Sequence, residues 1–115
     1  FGAQNKREGL VAEILPGEEP VGDQLVDVRS EHEYAEGALA GAINIPLPVL
    51  RQRMDELDRS RPVMLNCMVG ERSYKAARIL MQSGFREVYS LAGGYRMHRD
   101  TWTPPVKTGP AAGAA

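Results

Sequence analysis

Apolar residues fall into short blocks divided by glycine, proline and acidic turns, and the spacing inside the blocks changes along the chain. The runs at 25–28, 42–45, 62–66 and 87–91 are short and rich in Val, Ile and Leu. Continuous apolar runs of that length predict buried parallel strands. Between them the period lengthens. Leu47, Leu50, Met54 and Leu57 recur at three- and four-residue steps, which predicts a helix over 47–57. Ala76, Ala77, Leu80 and Met81 give the clearest inward stripe, over 73–83, with Gly84 placed to end it. Leu10, Val11, Ile14 and Leu15 predict a further helix over 5–15, stopped by Pro16 and Gly17. Ser30 with Glu33 is a capping-box pattern for a short helix closed by Gly37. Pro46 limits the pairing of the 42–45 strand, and Gly93-Gly94 turns into a closing helix through His98. Strands alternating with helices predict an α/β domain around a mainly parallel sheet.

Composition narrows the class without changing that picture. At 115 residues the chain supports one core and not two. A formal net charge of −1 gives no bulk field toward nucleic acid or a membrane surface. No apolar run approaches the ~18 residues of a membrane span, and the opening residues carry no signal-peptide pattern. A single cysteine makes no internal disulfide and suits a reducing compartment, so the cytoplasm is expected. The chain opens on Phe1, which reads as a piece of a longer protein or one with its first residues removed. Three segments are expected: a linker with a short helix at 1–22, the α/β domain at 23–102, and a Pro-, Gly- and Ala-rich disordered tail at 103–115.

The chemistry concentrates at Cys67, where a strand ends and a helix begins. The loop Cys67-Met68-Val69-Gly70-Glu71-Arg72-Ser73 would turn backbone N–H groups inward at the positive end of the helix dipole. Such a cradle stabilises a thiolate. Gly70 allows the backbone a close approach, Met68 and Val69 shape access, and Arg72 adds a fixed positive charge. A lone cysteine after a strand is more often a small buried hydrophobe, and it is the combination that argues for activation. Asp27 and Arg29 end the first core strand near the same sheet edge, where a structural salt bridge or loop brace is the expected role. His32 and His98 are isolated and expected at surface or capping positions. Lys75 is expected to be an ordinary solvated lysine, and Tyr95 and Trp102 to pack in the core. Two histidines and one cysteine make no zinc site.

These residues carry a resemblance. The segment 25–29 with Glu33-Tyr34, Gly37-Ala38 and 41–46, followed by the Cys67 loop with Ala76, Ala77 and Leu80, resembles the rhodanese-homology domain. Gly84-Phe85, Val88, Leu91 and Gly93-Gly94 match its closing block, so the likeness runs from about residue 23 to 100. The resemblance implies a three-layer α/β/α domain. It also implies a sulfurtransferase whose cysteine takes sulfane sulfur, holds it as a persulfide and passes it to a nucleophile. The stretch 67–80 with Gly93-Gly94-Tyr95 is similar to rhodanese domains fused behind CoA-disulfide reductases. That likeness implies a flavoprotein reductase partner that would bring its own FAD, NADH and CoA, with no cofactor in this chain. The implied donors are thiosulfate, glutathione or CoA persulfide, and polysulfide.

Glu71 departs from the fused relatives, which usually carry an apolar residue there. Pointed inward, its carboxylate would oppose anionic donors. Two rival readings stand beside the sulfurtransferase. A cysteine phosphatase or arsenate reductase would use a similar cradle, but the related phosphatases have a loop one residue longer. Here four residues separate Cys67 from Arg72, tight for a tetrahedral phosphoryl group. A non-catalytic interaction module is the other rival.

Overall fold

The structure is a computed structural model and describes residues 11–102. The short apolar runs become strands β1 (Ala12–Ile14), β2 (Gln24–Asp27), β3 (Ala42–Asn44), β4 (Val63–Asn66) and β5 (Val88–Leu91). They form one sheet in the order β1-β5-β4-β2-β3, and every pairing is parallel. β4 lies at the centre, buried at all four positions, as a strand covered on both faces must be.

Helices cover both faces, giving three layers. Alternation along β4 sends Val63 and Leu65 to one side and Met64 to the other. The larger cluster gathers Val26, Val28, Ile45, Leu50 and Phe85 around Ala76, Ala77 and Leu80 of helix α3 (Glu71–Gln82). The smaller gathers Ile14, Leu25, Leu39, Met64 and Leu91, with Tyr34 of α1 (Glu31–Glu36) and Tyr95 of α4 (Gly94–His98) packed against it. The capping box is formed: Ser30 Oγ accepts from Glu33 N–H, and Glu33 Oε1 accepts from Ser30 N–H.

Three expectations need correction. The apolar stripe at 5–15 is not helical where it is described; residues 12–14 are β1, hydrogen-bonded along β5. The remainder of that stripe and the tail 103–115 lie outside the described residues. The sheet therefore reaches back to Ala12, ahead of the boundary expected at 23. The helix over 47–57 is broken into a 3₁₀ turn (Leu47–Val49), the short α2 (Leu50–Arg53) and a second 3₁₀ turn (Met54–Glu56). Pro48 sits in the first of these turns and cannot donate a backbone hydrogen bond. Its apolar residues still point inward: Leu50, Met54 and Leu57 are buried. Lastly, α3 begins at Glu71 and not at Ser73, which places Glu71 and Arg72 in its first turn.

Candidate active site

Cys67 follows the last residue of β4, at the C-terminal edge of the sheet where open α/β folds collect their reactive groups. Its side chain is almost fully buried, 1% exposed, and joins the larger apolar cluster. Gly70 N–H donates to Cys67 Sγ at 3.0 Å. That contact requires Gly70 to adopt φ of 112° as the residue capping α3, a left-handed conformation that glycine takes without strain. Negative charge at Sγ would therefore meet a backbone donor and the positive end of a twelve-residue helix.

A buried hydroxyl pair lies beneath the sulfur. Cys67 Sγ is 3.7 Å from Ser73 Oγ, which is 2.7 Å from Ser90 Oγ on β5 and donates to Gly70 O at 3.1 Å. Ser73 and Ser90 are both buried. A hydroxyl rotates freely about its C–O bond, so Ser73 can accept from a thiol S–H or donate to a thiolate while Ser90 fills its other position. Ser90 is invisible in the sequence pattern, since it occupies an ordinary strand position.

Arg72 does not turn to the sulfur. Its Nη1 and Nη2 donate to Glu33 Oε1 and Oε2 at 2.7 and 2.9 Å, a bidentate pair joining α3 to α1. The Arg72 hydrogen bonds are the main reason that the Glu33 carboxyl is held at about 2, below its ordinary 4.5. Glu71 is exposed. Lys75 is exposed, as expected.

The closing segment locks the loop from the other side. Tyr95 N–H donates to Cys67 O at 2.7 Å and Arg96 N–H to Met68 O at 3.1 Å. Gly94 makes this approach feasible: a Cβ there would lie 2.4 Å from Cys67 O and 2.7 Å from Met68 C and O. The Gly93-Gly94 pair is thus a contact surface as well as a turn.

The chain matches the rhodanese-like domain family over residues 11–98. It belongs to that family. A thiosulfate sulfurtransferase GlpE of Coxiella burnetii is 35% identical over 78 residues, which cover 68% of this chain and 69% of that protein. Among solved structures, a NAD-dependent persulfide reductase from A. fulgidus is similar at 39% identity and a TM-score of 0.64, over 81% of this chain and 17% of that one. A Bacillus anthracis CoADR-RHD is similar at 31% identity and a TM-score of 0.67, over 84% of this chain and 18% of that one. The rhodanese-like domain also spans 58% and 65% of two other curated relatives it matches.

Within this rhodanese-like domain, Asp27 and Arg29 form a fully buried pair. Arg29 Nη2 and Nε donate to Asp27 Oδ2 at 2.7 and 3.0 Å, and Nη2 also reaches Gly37 O at 2.6 Å. The guanidinium lies 4.3 Å from the Tyr95 ring centroid. Asp27 and Arg29 thus tie β2 and the turn after α1 to the helix that pins the Cys67 loop, with no contact to the sulfur. Of the residues expected at the site, Cys67, Gly70 and Ser73 come together around Sγ, while Val69 and Glu71 lie exposed on the rim. His98 corrects an expectation: it is buried, its Nε2 is 2.9 Å from Ala92 O, and burial lowers its pKa. Among the described residues no helix is long and apolar enough to cross a membrane.

Proposed function

We propose that this domain is a sulfurtransferase that receives a sulfane sulfur on Cys67 as a persulfide and passes it to a thiol or other nucleophilic acceptor. The observation that carries this reading is the Gly70 N–H aimed at Cys67 Sγ at the N-terminus of α3. In the loading step the thiolate attacks the outer sulfur of the donor. A new S–S bond forms on Cys67, and the donor's own bond to that sulfur breaks, its electron pair leaving with the remainder of the donor. The persulfide anion then lies in the same cradle, where fixed donors stabilise charge without reorganising. Attack by an acceptor on the outer sulfur restores the Cys67 thiolate.

The two solved relatives support a partner. In each, the matched stretch is under one fifth of a longer chain, and one of those chains is a NAD-dependent persulfide reductase. A flavoprotein reductase holding FAD, with NADH and CoA as its substrates, would be a source or acceptor of the Cys67 sulfur, in the cytoplasm. Glutathione persulfide, CoA persulfide, polysulfide and thiosulfate are the donors to compare.

The test is intact-protein mass spectrometry after incubation with each donor. A gain of one sulfur mass, reversed by dithiothreitol and absent in Cys67→Ser, is expected. That substitution hardly changes side-chain volume, so the variant is expected to stay folded, as a cooperative thermal melt would show. Sulfur transfer retained in Cys67→Ser would sink the mechanism. The near-complete burial of Cys67 also favours a second reading, a non-catalytic interaction module. That reading expects no adduct from any donor.

A further inference from the structure

We infer that the site takes its sulfur from a thiol-derived persulfide in preference to an anionic donor such as thiosulfate, because Glu33 occupies the guanidinium of the loop. The inference rests on the persulfide reading above and specifies its donor.

Thiosulfate reacts as a dianion and releases sulfite, so a site selective for it needs a free cation with directed donors near the leaving group. The fork of an arginine is the side chain best suited to that task. Arg72 is the arginine of this loop, and each of its terminal nitrogens donates to an oxygen of Glu33, whose carboxylate neutralises its charge. Glu33 is fixed independently by its exchange of hydrogen bonds with Ser30 at the start of α1. The pair therefore does not depend on the donor to form, and a donor anion must compete with an intramolecular carboxylate. Arg29, the nearby buried cation, is spent on Asp27 and Gly37 O.

What remains around the loop is mixed. Lys75 and Arg96 are exposed cations and Glu71 is an exposed anion. Hydrated charges of this kind steer weakly and are screened by salt. The apolar side chains are better placed to hold a donor. Val69 of the loop is 53% exposed, Met97 of α4 55% and Tyr74 of α3 37%. Val69 is a loop residue, Tyr74 N–H donates to Gly70 O, and Met97 follows Arg96, whose N–H donates to Met68 O. Such a rim receives the organic group of a persulfide RSSH. The Cys67 thiolate bonds to the outer sulfur, the RS–S bond breaks, and RS⁻ leaves with the electron pair; the proton on the outer sulfur stays with it or passes to solvent.

The experiment compares rates of Cys67 loading from thiosulfate and from N-acetylcysteamine persulfide, whose organic group is uncharged, in wild type and Glu33→Gln. Glutamine keeps the capping box but cannot neutralise Arg72. The rate ratio of the two donors within one protein cancels any general loss of loop order. Glu33→Gln is expected to raise the thiosulfate-to-persulfide ratio about tenfold, the change a charge-assisted hydrogen bond makes. The double variant Glu33→Gln/Arg72→Gln should return the ratio to the wild-type level, which shows that the gain travels through Arg72. An unchanged ratio in Glu33→Gln, or a gain that survives the double variant, overturns the inference while leaving Cys67 persulfide chemistry intact. No loading from either donor in wild type overturns that chemistry, and the inference with it.

Discussion

The two faces of the sheet are held by different physics. On the α3 side the cluster around Val26, Leu65, Ala76, Ala77 and Leu80 is apolar, and Cys67 is part of it. On the other side the apolar cluster is smaller, and much of the cohesion is polar. Asp27 and Arg29 are buried together, Asn44 donates to the carbonyls of both, and the strand register sets Asn66 beside Asp27. The buried amide of Asn66 has no hydrogen-bond partner among the described residues. The Cys67 sulfur is seated in the face that packs by shape, and its loop is clamped from the face that packs by charge. A buried pair contributes little net energy against a well-packed apolar substitute, but it fixes geometry, and breaking it singly is costly.

The sharpest break is therefore on the polar face. Arg29→Met strands Asp27 without its partner and should cost roughly 4 kcal/mol in chemical denaturation, whereas Asp27→Leu/Arg29→Met should cost less than the single change. A double variant as unstable as the single one would contradict that account. Leu80→Ala on the apolar face should cost roughly 3 kcal/mol, through lost burial and the cavity left behind. It should leave donor preference unchanged, because Leu80 is fully buried two turns into α3.

Ser90→Ala joins the two comparisons at the sulfur. It removes the hydroxyl partner of Ser73 and should cost about 1 kcal/mol in stability. Its more telling readout is the rate of Cys67 alkylation by iodoacetamide at fixed pH, which should fall as Ser73 loses its support. Ser90→Thr restores the hydroxyl and should restore the rate; a rate unmoved by Ser90→Ala would make the pair purely structural.

Acid produces the smallest effect and arrives in two stages. His98 has a folded pKa below its ordinary 6.5, so the unfolded state binds the extra proton, and this stabilisation is lost as pH falls below about 6.5. Glu33 is held at about 2 against an ordinary 4.5, so its contribution is intact above about 4.5 and is lost as pH falls toward 2. Thermal melts across pH should show both stages in wild type and a smaller lower stage in Glu33→Gln, where the lowered carboxyls of Glu56 and Asp58 remain.

Elements whose signal is local were legible in the sequence. The capping box at Ser30 and Glu33, the apolar run before Cys67 and the stripe of α3 each declare themselves within a few residues. β1 did not, because Leu10, Val11, Ile14 and Leu15 satisfy a helical stripe as well as they satisfy a strand. What decides for a strand is pairing of Ala12 and Ile14 with Tyr89 and Leu91, far along the chain. The same distance hid the partner of Arg72. The position of Cys67 and the need for glycine at 70 could be read from the loop alone. That Glu33 would take the arginine, and Ser90 underlie Ser73, depends on contacts between elements that no local spacing encodes. Glu33 offered one clue: a capping box uses one carboxylate oxygen and leaves the second free.

The pairing of β1 with β5 also bears on how the chain comes to be folded. The first described strand finds its place only beside the last, so during synthesis Ala12–Ile14 must wait until Val88–Leu91 has emerged. β2, β3 and β4 and their helices can assemble beforehand. Until β1 arrives, the outer side of β5 presents unpaired backbone groups that another chain could capture. Closure of that flank is the late step of assembly, and the nascent domain is most open to misassociation just before it.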